Sequence, residues 1–205
     1  VSNWNFESHW KGRLPYQEAW DLQLRIAAQR KVGAVPDQIL GLEHPYVITL
    51  GKRSKTDPEI PAGPVVWVDR GGEATLHSEG QLVIYPLVRL RPRFEVRTWV
   101  DFLHEVSIRA FARVGVETFR GENSGLWTSR GKIAFLGLRI KEGVSLHGLS
   151  LNVRNDLALF APMKSCGVRS AAMDSLACRG IDLSPEEFFR IWAEEFEASC
   201  QGRNS

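Results

Sequence analysis

Hydrophobic positions recur along this chain with two periods, and the switches between them outline the fold. Over residues 15–31, Tyr16, Ala19, Leu22 and Ile26 return at helical spacing with Arg and Gln between them. Pro15 suits a first helical turn, and Gly33 follows the last basic residues. Apolar runs at 38–42 and 46–50 predict two strands, divided at His44-Pro45 because proline cannot sit in a central ladder. Residues 52–63 predict a loop, and short apolar runs predict strands at 65–68 and 82–90. A long helix is expected over 95–114, with Trp99, Leu103, Val106, Ala110 and Val114 on one stripe. Further strands are expected at 116–119, 125–128, 132–140 and 144–153, with Ser129-Arg130-Gly131 as a hairpin turn. The last helix has the fullest signal. Ser184 is its N-cap, Pro185 its first residue and Glu187 its capping-box partner, and Phe188, Phe189, Trp192 and Phe196 form its apolar face.

Strands outnumber helices and come in runs. The pattern predicts an α+β (mixed α/β) fold, a largely antiparallel mixed sheet flanked by helices. At 205 residues one domain of ordinary size, 1–205, is expected, with 201–205 as a frayed tail.

Composition narrows the function classes. A formal net charge of +2 argues against nucleic acid as the main partner. The three cysteines, Cys166, Cys178 and Cys200, form neither a disulfide framework nor a C-x-x-C pair, so a reducing, cytoplasmic setting is expected. No stretch approaches the roughly 18 apolar residues of a membrane span, and the opening VSNWNFESHW has no basic-then-apolar leader pattern. Neither a G-x-G-x-x-G fingerprint, nor a G-x-S-x-G elbow, nor H-E-x-x-H is present, and Ile133 stands where a phosphate loop needs Ser or Thr.

Three segments mix glycine and polar groups into strand territory. The first is Arg70-Gly71-Gly72-Glu73-Ala74-Thr75-Leu76-His77-Ser78-Glu79-Gly80-Gln81, whose glycines allow positive φ or close approach of a ligand; on its own it reads equally well as a polar hairpin loop. The second opens at Lys132 and is interrupted at Gly137 and again at His147-Gly148. Taken alone, Lys132 reads as a solvated lysine at a turn, and His147 equally as a satisfied core histidine or a functional one. The third is Met163-Lys164-Ser165-Cys166-Gly167, a loop cysteine, whereas Cys178, near Ala172 and Leu176, and Cys200 read as packing cysteines.

In this order the segments resemble the lipoyl(octanoyl) transferases, from about Gln38 to Met173. Leu42-Glu43-His44-Pro45 with Thr49-Leu50-Gly51 is similar to the family's L-x-E-H-x-P-V-x-T-x-G, one residue shorter. Residues 69–81 resemble D-R-G-G-x-x-T-x-H-x-x-G-Q, and residues 125–140 resemble G-V-W-x-x-x-x-K-I-A-x-x-G-x-R-I. His147-Gly148-Leu149-Ser150-Leu151-Asn152-Val153 is similar to H-G-x-A-L-N-V, and Cys166-Gly167 to the family's C-G.

The resemblance implies the fold of the biotin and lipoate protein ligases, with Cys166 as nucleophile and Lys132 as its cationic partner. It implies acyl-binding segments at Arg70, Gly71, Gly72, Glu73, Ala74, Thr75, Leu76 and His77, at Phe135, Leu136 and Gly137, and at Gly148, Leu149 and Ser150. It further implies octanoyl transfer from octanoyl-acyl carrier protein to a lysine of lipoyl domains, those of the 2-oxoacid dehydrogenase complexes and of the glycine cleavage H protein. No ATP, metal or other cofactor, no membrane and no nucleic acid enter that picture, and a monomer is expected. Leu76-His77-Ser78-Glu79 departs from the family's Y-H-G-P, and Ser165 replaces a proline. These changes are expected to remove a ring and add an anion near the site, and so to bear on acyl-chain preference. Two rival readings are an ATP-dependent ligase of the same fold and a non-catalytic carrier-protein-binding module. Basic clusters at Arg89, Arg91, Arg93 and Arg97 and at Lys52, Arg53 and Lys55 are set for acidic partners, or are solvated turns.

Overall fold

The computed structural model describes residues 6–54, 60, 62–90, 96–121, 125–163 and 172–201. The chain opens with a β-α-β unit: β1 (Phe6–Arg13), α1 (Tyr16–Lys31) and β2 (Asp37–Glu43). β1 and β2 pair in parallel, as a crossover helix between two strands allows. β3 (Val47–Leu50), β4 (Val65–Trp67) and β5 (Ala74–His77) form a small separate sheet in the order β4-β3-β5. β6 (Gln81–Leu87), α2 (Val96–Arg113), β7 (Phe119–Arg120), β8 (Leu126–Trp127), β9 (Lys132–Lys141), β10 (Val144–Asn152) and α3 (Pro185–Gln201) complete the domain. The main sheet has seven strands in the order β1-β2-β6-β10-β9-β8-β7, antiparallel except for β1 with β2.

Helices cover both faces, so central strands are buried throughout; every residue of β6 and β10 is buried. Leu82 and Ile84 of β6 join the core under α2 and α3, whereas Val83, Tyr85 and Leu87 join the core under α1. Trp99 and Trp192 are fully buried in the first core, and their indole N–H groups donate to Ser145 Oγ (3.0 Å) and Ser107 Oγ (2.9 Å). Truncating either ring costs about 3–5 kcal/mol. The capping box of α3 forms as its sequence predicts: Ser184 N–H donates to Glu187 Oε2 at 2.8 Å, and Glu187 N–H to Ser184 Oγ at 3.2 Å.

Four details differ from the sequence reading. β1 forms where no strand was expected, and β5 forms inside the polar glycine-bearing segment. Cys178 is exposed on a 3₁₀ turn, Ala177–Arg179, instead of packed, although Cys200 is buried. Gln201 ends α3, and the rest of the expected tail lies outside the described residues.

Candidate active site

Three of the motifs fit together through their glycines. A Cβ on Gly51 would lie 2.4 Å from Gly72 O, and one on Gly137 would lie 3.0 Å from Gly71 O. The loop at Arg70-Gly71-Gly72 is therefore wedged between the end of β3 and the middle of β9. Arg70 locks it: Nη2 donates to Thr49 O (2.9 Å) and Thr49 Oγ1 (2.8 Å), and Nη1 to Gly71 O (3.1 Å). Gly71 N–H donates to Leu138 O at 2.9 Å. Glycine in β9 does mark a close approach, and what approaches is the chain's own loop.

This packing frames an open pocket on the α1 side of the sheet. Of the residues the sequence singled out, Arg70, Gly72, Glu73, Ala74, Thr75, His77, Lys132, Phe135, Leu136, Gly137, Gly148, Leu149 and Ser150 line it. Gly71 is absent from the lining and acts through its backbone bond to β9. Leu76 is also absent, being fully buried with Ile48 and Leu50 in the core of the small sheet. The position expected to reshape the acyl site thus packs elsewhere. Glu79, the expected nearby anion, is exposed and pairs with Arg13 at 2.7 Å.

The site also recruits Tyr16, Val83, Tyr85 and His147, which the site reading omitted. Their sequence signal was that of ordinary core positions on a helix and a strand; only His147 stood out, by its neighbouring glycine.

Lys132 is not a solvated turn residue. It is 2% exposed, and its Nζ lies 4.7 Å from the Phe135 ring centroid and 5.7 Å from that of Trp127. Both contacts have the geometry in which an aromatic face attracts an ammonium. Cys166 lies outside the described residues, as do Arg91, Arg93 and Lys55. The chain enters that stretch from Met163, packed in the small-sheet core, and returns at Ala172 directly on Lys132. Lys132 N–H donates to Ala172 O (2.8 Å), and Asp174 N–H donates to Lys132 O (3.0 Å).

Two histidines of the lining, His77 and His147, and His44 packed against His77 are all held neutral. Burial pushes His44 down to about 4. His77 is pushed to about 3 by burial and by His44 beside it, and His147 to about 3 by burial and then by Arg70 and Arg139. Their bonding fixes the tautomers. His44 Nδ1–H donates to Leu14 O at 2.7 Å, so its Nε2 accepts from Tyr85 O–H at 2.7 Å. Gln81 Nε2 donates to Asn152 Oδ1, which turns Gln81 Oε1 toward His77 Nδ1–H at 2.8 Å and leaves His77 Nε2 as an acceptor. His147, at φ +58°, donates from Nε2 to Asp69 Oδ1 at 2.8 Å. It is both a satisfied buried histidine and part of the pocket wall. Tyr16 stacks on His77 with centroids 6.0 Å apart, and burial raises its hydroxyl to about 12, so it remains a neutral donor.

At the pocket's edge, Lys52 and Arg53 are exposed, and their backbone N–H groups bond Arg70 O and Gly72 O. Arg89 reaches Lys31 O at 2.7 Å. Among the described residues no helix is long and apolar enough to cross a membrane.

A pocket with apolar surface and a buried lysine on its wall can hold a small ligand beside a group able to take part in covalent transfer. The family of lipoyl protein ligase A/B catalytic domains matches residues 15–197. An octanoyltransferase of Corynebacterium aurimucosum is 40% identical over 193 residues, covering 86% of this chain and 72% of that protein. One from Rubrobacter xylanophilus is 39% identical over 176 residues, 80% of this chain and 79% of its own. Among solved structures, a lipoate-protein ligase A bound with ATP superposes with a TM-score of 0.77 at 16% identity, covering 95% of this chain and 86% of that one. A biotin protein ligase from Aquifex aeolicus in complex with biotin and ATP gives 0.61 at 14%, covering 95% and 70%. The mixed fold expected from the sequence is thus the lipoate and biotin protein ligase fold. The chain belongs to the lipoyl protein ligase A/B catalytic-domain family, and within it to the octanoyltransferases.

Proposed function

We propose that the enzyme takes octanoyl from the thioester of acyl carrier protein onto Cys166 and passes it to a lipoyl-domain lysine. The acceptors in this reading are the lipoyl domains of the 2-oxoacid dehydrogenase complexes and the glycine cleavage H protein. The observation that carries it is Lys132: a buried lysine on the pocket wall, gripped on both backbone sides by Ala172 and Asp174, just after the Cys166 segment in the chain.

The Cys166 thiolate attacks the donor carbonyl and expels the carrier thiolate, exchanging one thioester for another. The acceptor amine then attacks the acyl-enzyme and expels the Cys166 thiolate, forming a more stable amide. Lys132 as ammonium holds the Cys166 thiolate and gives its proton to the departing carrier thiolate; as the amine so formed it takes the proton lost by the attacking nitrogen, and is again the ammonium beside the expelled Cys166 thiolate. An ordinary thiol is only a few per cent ionised at neutral pH, so a cation nearby raises the reactive fraction many-fold. Phe135, Leu136, Leu149 and Val83 supply apolar surface for the chain. Burying most of an octanoyl tail at about 0.8 kcal/mol per methylene gives roughly 5 kcal/mol of binding. Arg70, Gly72, Glu73, Ala74, Thr75, His77, Gly137, Gly148 and Ser150 shape the remaining wall. A cytoplasmic, monomeric enzyme of one catalytic domain that works without ATP completes the reading.

The test is mass spectrometry after mixing with octanoyl-acyl carrier protein in the absence of ATP. An octanoyl adduct on Cys166 that a lipoyl domain discharges is expected. No adduct, or transfer that demands ATP, overturns the reading in favour of a ligase or a binding module.

A further inference from the structure

We infer that Asp174 is a positioning residue for acyl transfer, locking the strand that carries Lys132 to the pocket wall that carries His77. The inference rests on the Lys132 and Cys166 assignment above.

Asp174 is 1% exposed, and it holds three directions at once. Its Oδ2 accepts from Thr128 Oγ1 (2.6 Å) and Arg179 Nε (2.7 Å), and its Oδ1 from Ser175 N–H (2.9 Å). Thr128 also accepts from Arg130 N–H and Gly131 N–H, so the carboxylate is fastened to the hairpin turn just ahead of Lys132. The Asp174 N–H bonds Lys132 O, while Lys132 N–H bonds Ala172 O, and the two contacts bracket one residue. Gly131 makes room for this approach, because a Cβ there would lie 2.4 Å from Ala172 O. In the third direction, Asp174 O accepts from Asn152 Nδ2 at 3.1 Å. Asn152 Oδ1 accepts from Gln81 Nε2 at 3.0 Å, and Gln81 Oε1 accepts from His77 Nδ1 at 2.8 Å. A continuous buried chain of hydrogen bonds therefore runs from His77 through Gln81 and Asn152 to the backbone C=O of Asp174, and from the Asp174 N–H to the backbone of Lys132, while the carboxylate pins that backbone to Thr128 and Arg179.

The two pocket walls belong to different sheets, β5 in the small one and β9 in the large one; among the described residues no strand ladder joins them, and the bond from Gly71 N–H to Leu138 O is one tie between them. This chain of polar groups ties them. Charge-assisted bonds to a buried carboxylate are short and directional, so they fix geometry better than apolar packing. Transfer depends on that geometry, because displacement of about 1 Å can cost on the order of a hundredfold in rate.

Asp174→Asn keeps the side-chain size and removes the charge; Thr128→Val removes only the hydroxyl. Both are compared with Lys132→Ala in single-turnover acylation from octanoyl-carrier protein, in the pH profile of Cys166 alkylation, and in thermal unfolding. In folded Asp174→Asn and Thr128→Val, the acylation rate constant should fall by about tenfold or more, with the donor KM changed by less than about twofold. The alkylation profile should move to higher pH, as in Lys132→Ala, and Thr128→Ser should restore it. Should Asp174→Asn not fold, the Thr128 pair decides. Wild-type rate and profile in folded variants, or a loss that tracks the folded fraction with an unmoved profile, overturn the inference. If Lys132→Ala itself leaves the profile unmoved, the underlying assignment falls and this inference with it. If only Lys132→Ala moves it, the inference alone fails.

Discussion

The Nζ of Lys132 lies 4.7 Å from the ring centroid of Phe135, so the proposed catalytic cation and the acyl-binding wall are in contact. Lys132→Ala should slow alkylation of Cys166 at neutral pH and cut transfer by about 10²–10⁴-fold. Lys132→Arg keeps the charge but cannot give up its proton to act as a base, so it should recover alkylation better than transfer. Equal recovery of both would remove the proton-carrying role.

The cysteines should separate cleanly. Cys166→Ser should abolish transfer. Cys178→Ser, at an exposed turn, should change neither activity nor stability. Cys200→Ser should keep activity but lose about 1 kcal/mol or more of stability, because Cys200 is 2% exposed in the core under α2 and α3. Transfer by Cys166→Ser at near-normal rates through a thioester would end its assignment.

Acid should destabilise the fold through its histidines. An unfolded histidine gains its proton near 6.5, whereas native His44 waits until about 4 and His77 and His147 until about 3. Between those values the unfolded chain binds more protons, so their contribution is complete above 6.5 and is lost as pH falls toward 3. Each such group adds up to about 1.4 kcal/mol per pH unit to the slope. His104, lowered to about 4, adds to the same limb and has no hydrogen-bond partner on either ring nitrogen among the described residues. His104→Phe should raise stability by about 1 kcal/mol and flatten the slope while leaving transfer intact. Calorimetry from pH 7 to pH 4 checks both; a flat profile in the parent protein contradicts the first expectation.

Two glycines should behave differently. A Cβ on Gly148 would lie 2.1 Å from Ile84 O, in the next strand's backbone, so Gly148→Ala should cost about 3 kcal/mol. A Cβ on Gly137 would lie 3.0 Å from Gly71 O and 3.1 Å from Arg70 Cδ, both in a loop. Gly137→Ala should fold, shift that loop and lower transfer by about tenfold. Melting curves and initial rates distinguish the two.

Much of this was legible in the sequence because strong periodicity and terminal signals coincide. α1, α2, α3 and the long strands lie within a few residues of their expected places. β1 escaped notice because it pairs at an edge and mixes exposed with half-buried positions. β5 was hidden because its residues sit inside a run chosen for close packing against Gly51 and Gly137, not for alternation. The segments lining the pocket were recognisable, but the sequence could not show that Gly71 and Leu76 turn away from it. Nor could it show that Tyr16, Val83 and Tyr85, spaced like core residues, face the hollow those glycines leave.

The parallel pairing of β1 with β2 closes within the first 43 residues, whereas the pocket draws on positions from 16 to 150. Contacts close in sequence form at low entropic cost, and distant ones wait for most of the chain. Of the pocket lining that first unit supplies Tyr16 alone, so the pocket, with Lys132 on its wall, forms only once β5, β6, β9 and β10 have docked. On the proposed assignment, a chain still being synthesised, or partly unfolded, carries an ordinary protonated thiol at Cys166. Reactivity toward thioesters then arrives with the native state.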